Sequence, residues 1–125
     1  MIFEVGLEMR KAPELEDRLV DFAVRILKVV EALPNTKAGN HIGSQLVRAG
    51  TSPAPNYGEA QSAESKKDFV HKMKIALKEL RETYVWLRII ERKPLCPPDK
   101  TKDILRECDE LIAIFVASIK TAEGR

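Results

Sequence analysis

Gln45-Leu-Val-Arg-Ala-Gly-Thr-Ser-Pro-Ala-Pro-Asn-Tyr-Gly-Glu-Ala60 is the one stretch of this chain that ordinary helix-forming rules would not write. It sets Pro53, Pro55, Gly50, Gly58 and a run of small residues between segments with plain amphipathic patterning. Each proline removes a backbone donor, and inside a helix each costs ~3 kcal/mol. The helix therefore either ends near Thr51 and restarts, or continues through a kink whose freed carbonyls are capped by the Thr51 or Ser52 hydroxyls or by water. Asn56, Tyr57 and Glu59 keep helical spacing, which favours a kinked continuation from about Lys37 to about Gln61. On that reading the stretch is half of one helix, and the chain has four.

Working outward, the preceding segment carries Leu15, Leu19, Phe22, Ile26, Val29 and Leu33 at spacings of four and three, the seam of a bundle helix from Glu14 to Leu33. A second row, Val20, Ala23, Val24, Leu27 and Val30, widens its apolar surface to about 200°, more than one core needs. Leu33-Pro34-Asn35 stops it, because the residue before proline is pushed out of the α region. On the other side, Ser65-Lys-Lys-Asp68 has the form of a capping box. The longest helix follows to about Lys93, with Phe69, Met73, Ala76, Leu77, Leu80, Tyr84 and Leu87 as its core stripe. Pro97-Pro98-Asp99 opens the last helix, whose seam is Ile104, Cys108, Leu111, Ile112, Phe115 and Ile119. Short connections between four amphipathic helices predict an all-α, antiparallel up-down-up-down four-helix bundle over residues 14–122 with a kinked second helix. Residues 1–13 are read as an arm outside the core, and residues 123–125 as a tail.

A chain of 125 residues, 44% hydrophobic and 32% charged, fits one globular domain with long solvent-facing helices. A net charge of +2 makes no case for nucleic acid by itself, so the placement of charge has to decide. Cys96 and Cys108 lack metal-type spacing, and no secretory signal pattern opens the sequence. No apolar run approaches the ~20 residues of a membrane span. The expectation is a soluble cytoplasmic protein with two free thiols and no membrane partner.

Charge placement singles out the third helix. Lys67, Lys74, Lys78, Arg81, Arg88 and Arg92 fall within roughly 80° of one another around its axis. Lys74 with Lys78, and Arg88 with Arg92, are like-charge pairs that something anionic should offset. One reading is a phosphate-tracking stripe. The other is complementarity with Asp99, Asp103, Glu107 and Glu110 on the last helix, within or between subunits. No aromatic residues interleave with the cations as a base-stacking platform would require. Roughly opposite the core stripe, Ile75, Glu79, Glu82, Trp86 and Ile89 form a further row. An outward Trp and two isoleucines, with Val20, Val24 and Leu27 of the first helix, predict a homo-oligomer interface.

Catalytic chemistry finds no footing. A di-iron bundle needs Glu-x-x-His on two helices, and the sequence has only Asp68 to His71, with His71 on the outer face. Ser44, Thr51, Ser52 and Ser65 have no His and acid in a recognisable arrangement. Cys108 sits on the core face, where cysteine is an inert small hydrophobe. No glycine loop cradles phosphate. The sequence points to a non-enzyme with no cofactor, no metal and no small-molecule substrate.

Arg48, Gly50, Thr51, Ser52, Asn56, Tyr57, Glu59 and Ala60, followed by Ala63-Glu-Ser-Lys-Lys-Asp-Phe-Val-His-Lys-Met-Lys-Ile-Ala-Leu-Lys-Glu-Leu-Arg-Glu82, give a resemblance to a known family. With Trp86-Leu-Arg88, Glu107-Cys-Asp-Glu-Leu111 and Ala117-Ser-Ile-Lys-Thr-Ala122, the chain resembles the bacterial ribosomal-RNA intervening-sequence proteins from about Leu15 to Ala122. These are related to the accessory variability protein of diversity-generating retroelements. Pro55 stands where a small alanine is expected. The resemblance implies a four-helix bundle assembling into a ring, usually a pentamer, and a role near RNA or a nucleic-acid-handling protein that is itself undefined. It carries over no catalytic residue. Two functions stand as expectations: an oligomeric scaffold whose basic stripe contacts RNA or a ribonucleoprotein, and a pure protein-interaction module with no nucleic-acid contact. Arg48, Asn56 and Glu59 are expected to form a buried polar network that explains the opening stretch without chemistry.

Overall fold

The computed structural model describes residues 6–124, with side-chain placement from residue 14 onward. The helices are α1 (Gly6–Glu31), α2 (Lys37–Thr51), α3 (Pro53–Gln61), α4 (Lys66–Arg92) and α5 (Lys102–Glu123), with a single 3-10 turn at Pro98–Lys100. The first helix begins at Gly6 rather than Glu14, so the backbone of residues 6–13 runs as its opening turns; residues 1–5 of the expected arm and residue 125 of the tail lie outside the described residues.

The division between α2 and α3 is a kink and not a break. Ser52 keeps helical angles, φ −65 and ψ −35, and bonds run through it from Ser52 N–H to the Arg48 carbonyl and from Asn56 N–H to the Ser52 carbonyl. The prolines strip donors from the carbonyls of Ala49 and Thr51, four residues back. The Thr51 hydroxyl does not serve those carbonyls as expected: it donates to the Val47 carbonyl at 2.6 Å. Asn56 Nδ2 donates to both the Ser52 carbonyl and hydroxyl, so the side chain on the turn after the kink fastens it.

Local caps follow the sequence. The Ser65 hydroxyl accepts from Asp68 N–H at 3.0 Å, the hydroxyl half of the expected box. Thr36 caps α2 in the same way through Gly39 N–H, and Gly124 ends α5 in the left-handed conformation at φ 76.

α2 with α3 acts as one arm of the bundle. α1 packs against that arm and against α5, and α4 packs against the same two, so α1 and α4 occupy diagonal corners. The core is the set of seams meeting: Leu19, Phe22 and Ile26 from α1, Leu46 from α2, Phe69, Met73, Leu80 and Leu87 from α4, and Leu111 and Phe115 from α5 are fully buried. Tyr57 on α3 meets Phe115 edge-on, centroids 5.9 Å apart. Gly50 lets α2 lie close on α1, because a Cβ there would stand 2.7 Å from Ile26 Cγ1 and Cγ2. Thr83, buried on α4, satisfies its hydroxyl on the Glu79 carbonyl.

Candidate nucleic-acid interface

α4 has no internal glycine or proline, and its core seam fixes its rotation, so the cations between seam positions have one direction to face. Lys67, Lys74, Lys78, Arg81, Arg88 and Arg92 are all exposed, on one outward face. Lys74 reaches Glu123 of α5 at 3.1 Å, and the Arg88 guanidinium lies 6.0 Å over the Tyr84 ring. Lys67, Lys78, Arg81 and Arg92 have no ion pair among the described residues.

The acidic residues that might have answered them turn elsewhere. Arg18 of α1 donates to Glu107 through Nε at 3.1 Å and Nη2 at 2.7 Å, and Nη2 also stands 3.4 Å from Glu110. This fork holds α1 to α5, and the hydrogen bond to Glu107 is the main reason the Arg18 pKa is raised. Asp103 reaches only Arg106 of its own helix, at 3.9 Å. Within one subunit, then, Glu107 and Glu110 answer α1, and of the α5 acids only Glu123 reaches the α4 stripe among the described residues, at Lys74.

Two hollows adjoin the stripe. Lys74, Leu77 and Arg81 of α4 with Val116, Ile119 and Lys120 of α5 line a groove of about 300 Å³. At the start of α4, a hollow of about 730 Å³ is lined by Lys66, Lys67, Val70, His71, Lys74 and Glu123. Lys66 and Lys120 are cationic neighbours outside the predicted stripe, because they lie on another helical face or another helix, and His71 is exposed on the outer face as its position predicts. The arrangement offers positive charge along the outward face of one helix and across a neighbouring groove. Among the described residues no group of three or more His, Cys, Asp and Glu could hold a metal ion, and no helix is long and apolar enough to cross a membrane.

The expected buried network is not present as such. Arg48 is half exposed and bridges α2 to α4, donating to Glu79 at 2.8 Å and to Glu82. Asn56 fastens the kink, and exposed Glu59 pairs with Lys72 at 2.7 Å. The three residues act separately because they point from successive turns to different neighbours. Trp86 also departs from expectation: half-buried, it donates Nε1–H to Glu82 at 3.0 Å and lies edge-on to His41, centroids 6.0 Å apart. The row of Glu79, Glu82 and Trp86 is thus the α2–α4 contact, and Ile75 beside it is half-buried too. Val20, Val24, Leu27 and Ile89 are exposed, joined by Val85, which the sequence reading left out.

A profile of the 23S rRNA-intervening sequence proteins matches residues 14–117. The chain belongs to this family. Its fold is shared by a crystal structure of a protein with unknown function from the S23 ribosomal protein family of Bacteroides thetaiotaomicron, 33% identical, covering 88% of this chain and 98% of that one with a TM-score of 0.80. Among proteins with curated descriptions none matches. Neither the 23S rRNA-intervening sequence family nor the S23 relative carries a named reaction.

Proposed function

We propose that this 23S rRNA-intervening sequence protein is a non-enzymatic cytoplasmic scaffold that associates with copies of itself and contacts RNA through the N-terminal half of α4. The observation that carries the RNA reading is the unanswered charge of Lys67, Lys78 and Arg81: exposed, aligned, and left without a carboxylate by acids that face Arg18 instead. Like charges four residues apart destabilise their helix slightly, and a polyanion outside the subunit reverses that sign. With Lys74 they form a four-cation row that tracks phosphates and reads no sequence. The five-membered ring is the assembly that the resemblance implies.

The test is a fluorescence-anisotropy titration of a labelled mixed-sequence RNA between 50 and 200 mM salt. Binding should weaken linearly in log–log form, and Lys74→Glu with Lys78→Glu should lower the slope by roughly 1.4, about 0.7 per lost phosphate contact on a single strand. No binding at the lowest salt, or a double variant that binds as the wild type does, overturns the RNA reading and leaves a protein-interaction module.

A further inference from the structure

We propose that the outer face of α1 of one copy seats on the C-terminal half of α4 of the next, a head-to-tail contact made from two different surfaces of the same chain. This rests on the self-association part of the reading above and is independent of RNA. The large apolar side chains exposed among the described residues are Val20 at 47%, Val24 at 44%, Leu27 at 42%, Val85 at 50% and Ile89 at 40%. They fall on two helices only. Val20, Val24 and Leu27 make an unbroken stripe on α1, spaced four and three; Val85 and Ile89 are one turn apart on α4.

Charge distinguishes the two stripes. On α1 the apolar row is framed by exposed Glu16, Asp17, Asp21 and Glu31, against one exposed cation, Lys28. Asp17, Asp21 and Glu31 meet no cation among the described residues. On α4 the apolar pair is flanked by exposed Arg88 and Arg92, and the acid beside it, Glu82, is taken by Arg48 and Trp86 of its own subunit. Pairing α1 with α1, or α4 with α4, would bring apolar side chains together at the cost of like charges across the contact. Pairing α1 with α4 joins both apolar stripes and opposite charge. Because α1 and α4 stand on diagonal corners of the bundle, one chain cannot close this contact on itself. Each copy donates one face and accepts on the other, and such heterologous contacts close a ring where the rotation from copy to copy adds up to a full turn.

The consequence for the basic stripe is a division of labour. Arg88 and Arg92, beside Val85 and Ile89, are committed to the neighbouring copy. Lys67, Lys74, Lys78 and Arg81, with no exposed large apolar residue among them, remain open to RNA.

Two charge reversals test the contact: Asp17→Lys with Asp21→Lys on α1, and Arg88→Glu with Arg92→Glu on α4, all on exposed helix surface. Folding is checked by circular dichroism, and assembly by sedimentation velocity over a concentration series. Each reversal alone should raise the dissociation constant at least about tenfold, the scale of two surface pairs lost and two repulsions gained. Combining all four substitutions in one chain restores opposite charge at every contact and should bring assembly back to within about threefold of the wild type; mixing the two variants one to one restores it only at contacts between unlike copies, so a five-membered ring keeps one like contact and recovers less. If the wild type assembles but one reversal leaves it unchanged, or the chain with all four substitutions recovers nothing, the head-to-tail contact is overturned while self-association stands. A wild type that stays monomeric throughout the series overturns both.

Discussion

Cys108 shows at the scale of one residue how a sequence position becomes an energetic quantity. Its place in the α5 seam puts it in the core, fully buried, where the thiol donates to the Leu80 carbonyl at 3.4 Å. Burial, then the nearby Asp109 and Glu107 carboxylates, push its pKa from 9.0 up to about 12. A thiol that holds its proton longer when folded stabilises the fold fully below the unfolded value, and that stabilisation is lost progressively from there as pH rises up to and through the folded one. Between pH 8 and 10 the Cys108→Ala variant should therefore gain about 1.4 kcal/mol relative to the wild type, read from urea midpoints at the two pH values. A constant gap between the two proteins would mean that the thiol is not held in its neutral form. The burial of Cys108 was legible from spacing alone. The separate duties of Arg48, Asn56 and Glu59 were not, because a polar residue's partner lies on another helix whose rotation periodicity does not report.

Elements repeat that contrast. Core seams were readable because apolar spacing states which way a helix faces, and every seam residue named for α5 except half-buried Ile112 is buried. Outer rows were less so. Glu79, Glu82 and Trp86 read as an exposed row, yet α4 packs on α2 as well as α5, so the covered arc is wider than one seam. Likewise Glu107 and Glu110 of α5 matched either neighbour by sign, and only the structure turns them to Arg18. The meaning of the glycines in the opening stretch is testable as a property of the α1–α2 contact. Gly50→Ala gains helix propensity worth up to ~1 kcal/mol, but its Cβ would stand 2.7 Å from two carbons of Ile26, a β-branched side chain with little freedom to yield. Overpacking of this kind costs ~1–3 kcal/mol, so a net loss of stability is expected. Gly58→Ala meets only Glu16 Oε1, at 3.6 Å, and should be neutral or stabilising by up to ~1 kcal/mol. Thermal melts of the two variants separate close approach from mere flexibility: equal effects at both positions would sink the packing account of the kinked helix.

For the whole molecule, the two proposed surfaces differ in the physics of their attachment, and salt should pull them apart. The RNA face is ionic throughout. Four contacts, from Lys67, Lys74, Lys78 and Arg81, give a log–log slope near −2.8, so raising salt from 50 to 200 mM should weaken RNA binding roughly 50-fold. The copy-to-copy face joins Val20, Val24 and Leu27 to Val85 and Ile89 within a charged frame. Screening weakens the frame, whose exposed pairs contribute ~1 kcal/mol or less each, but leaves apolar burial intact. Assembly should then weaken less than about fivefold over the same range, and because only folded copies associate, the melting temperature should rise with protein concentration at either salt. Parallel anisotropy and sedimentation series on the wild type read both slopes. If assembly dissolves as steeply as RNA binding, the contact between copies is held by charge alone, and the exposed apolar stripes of α1 and α4 are not its centre.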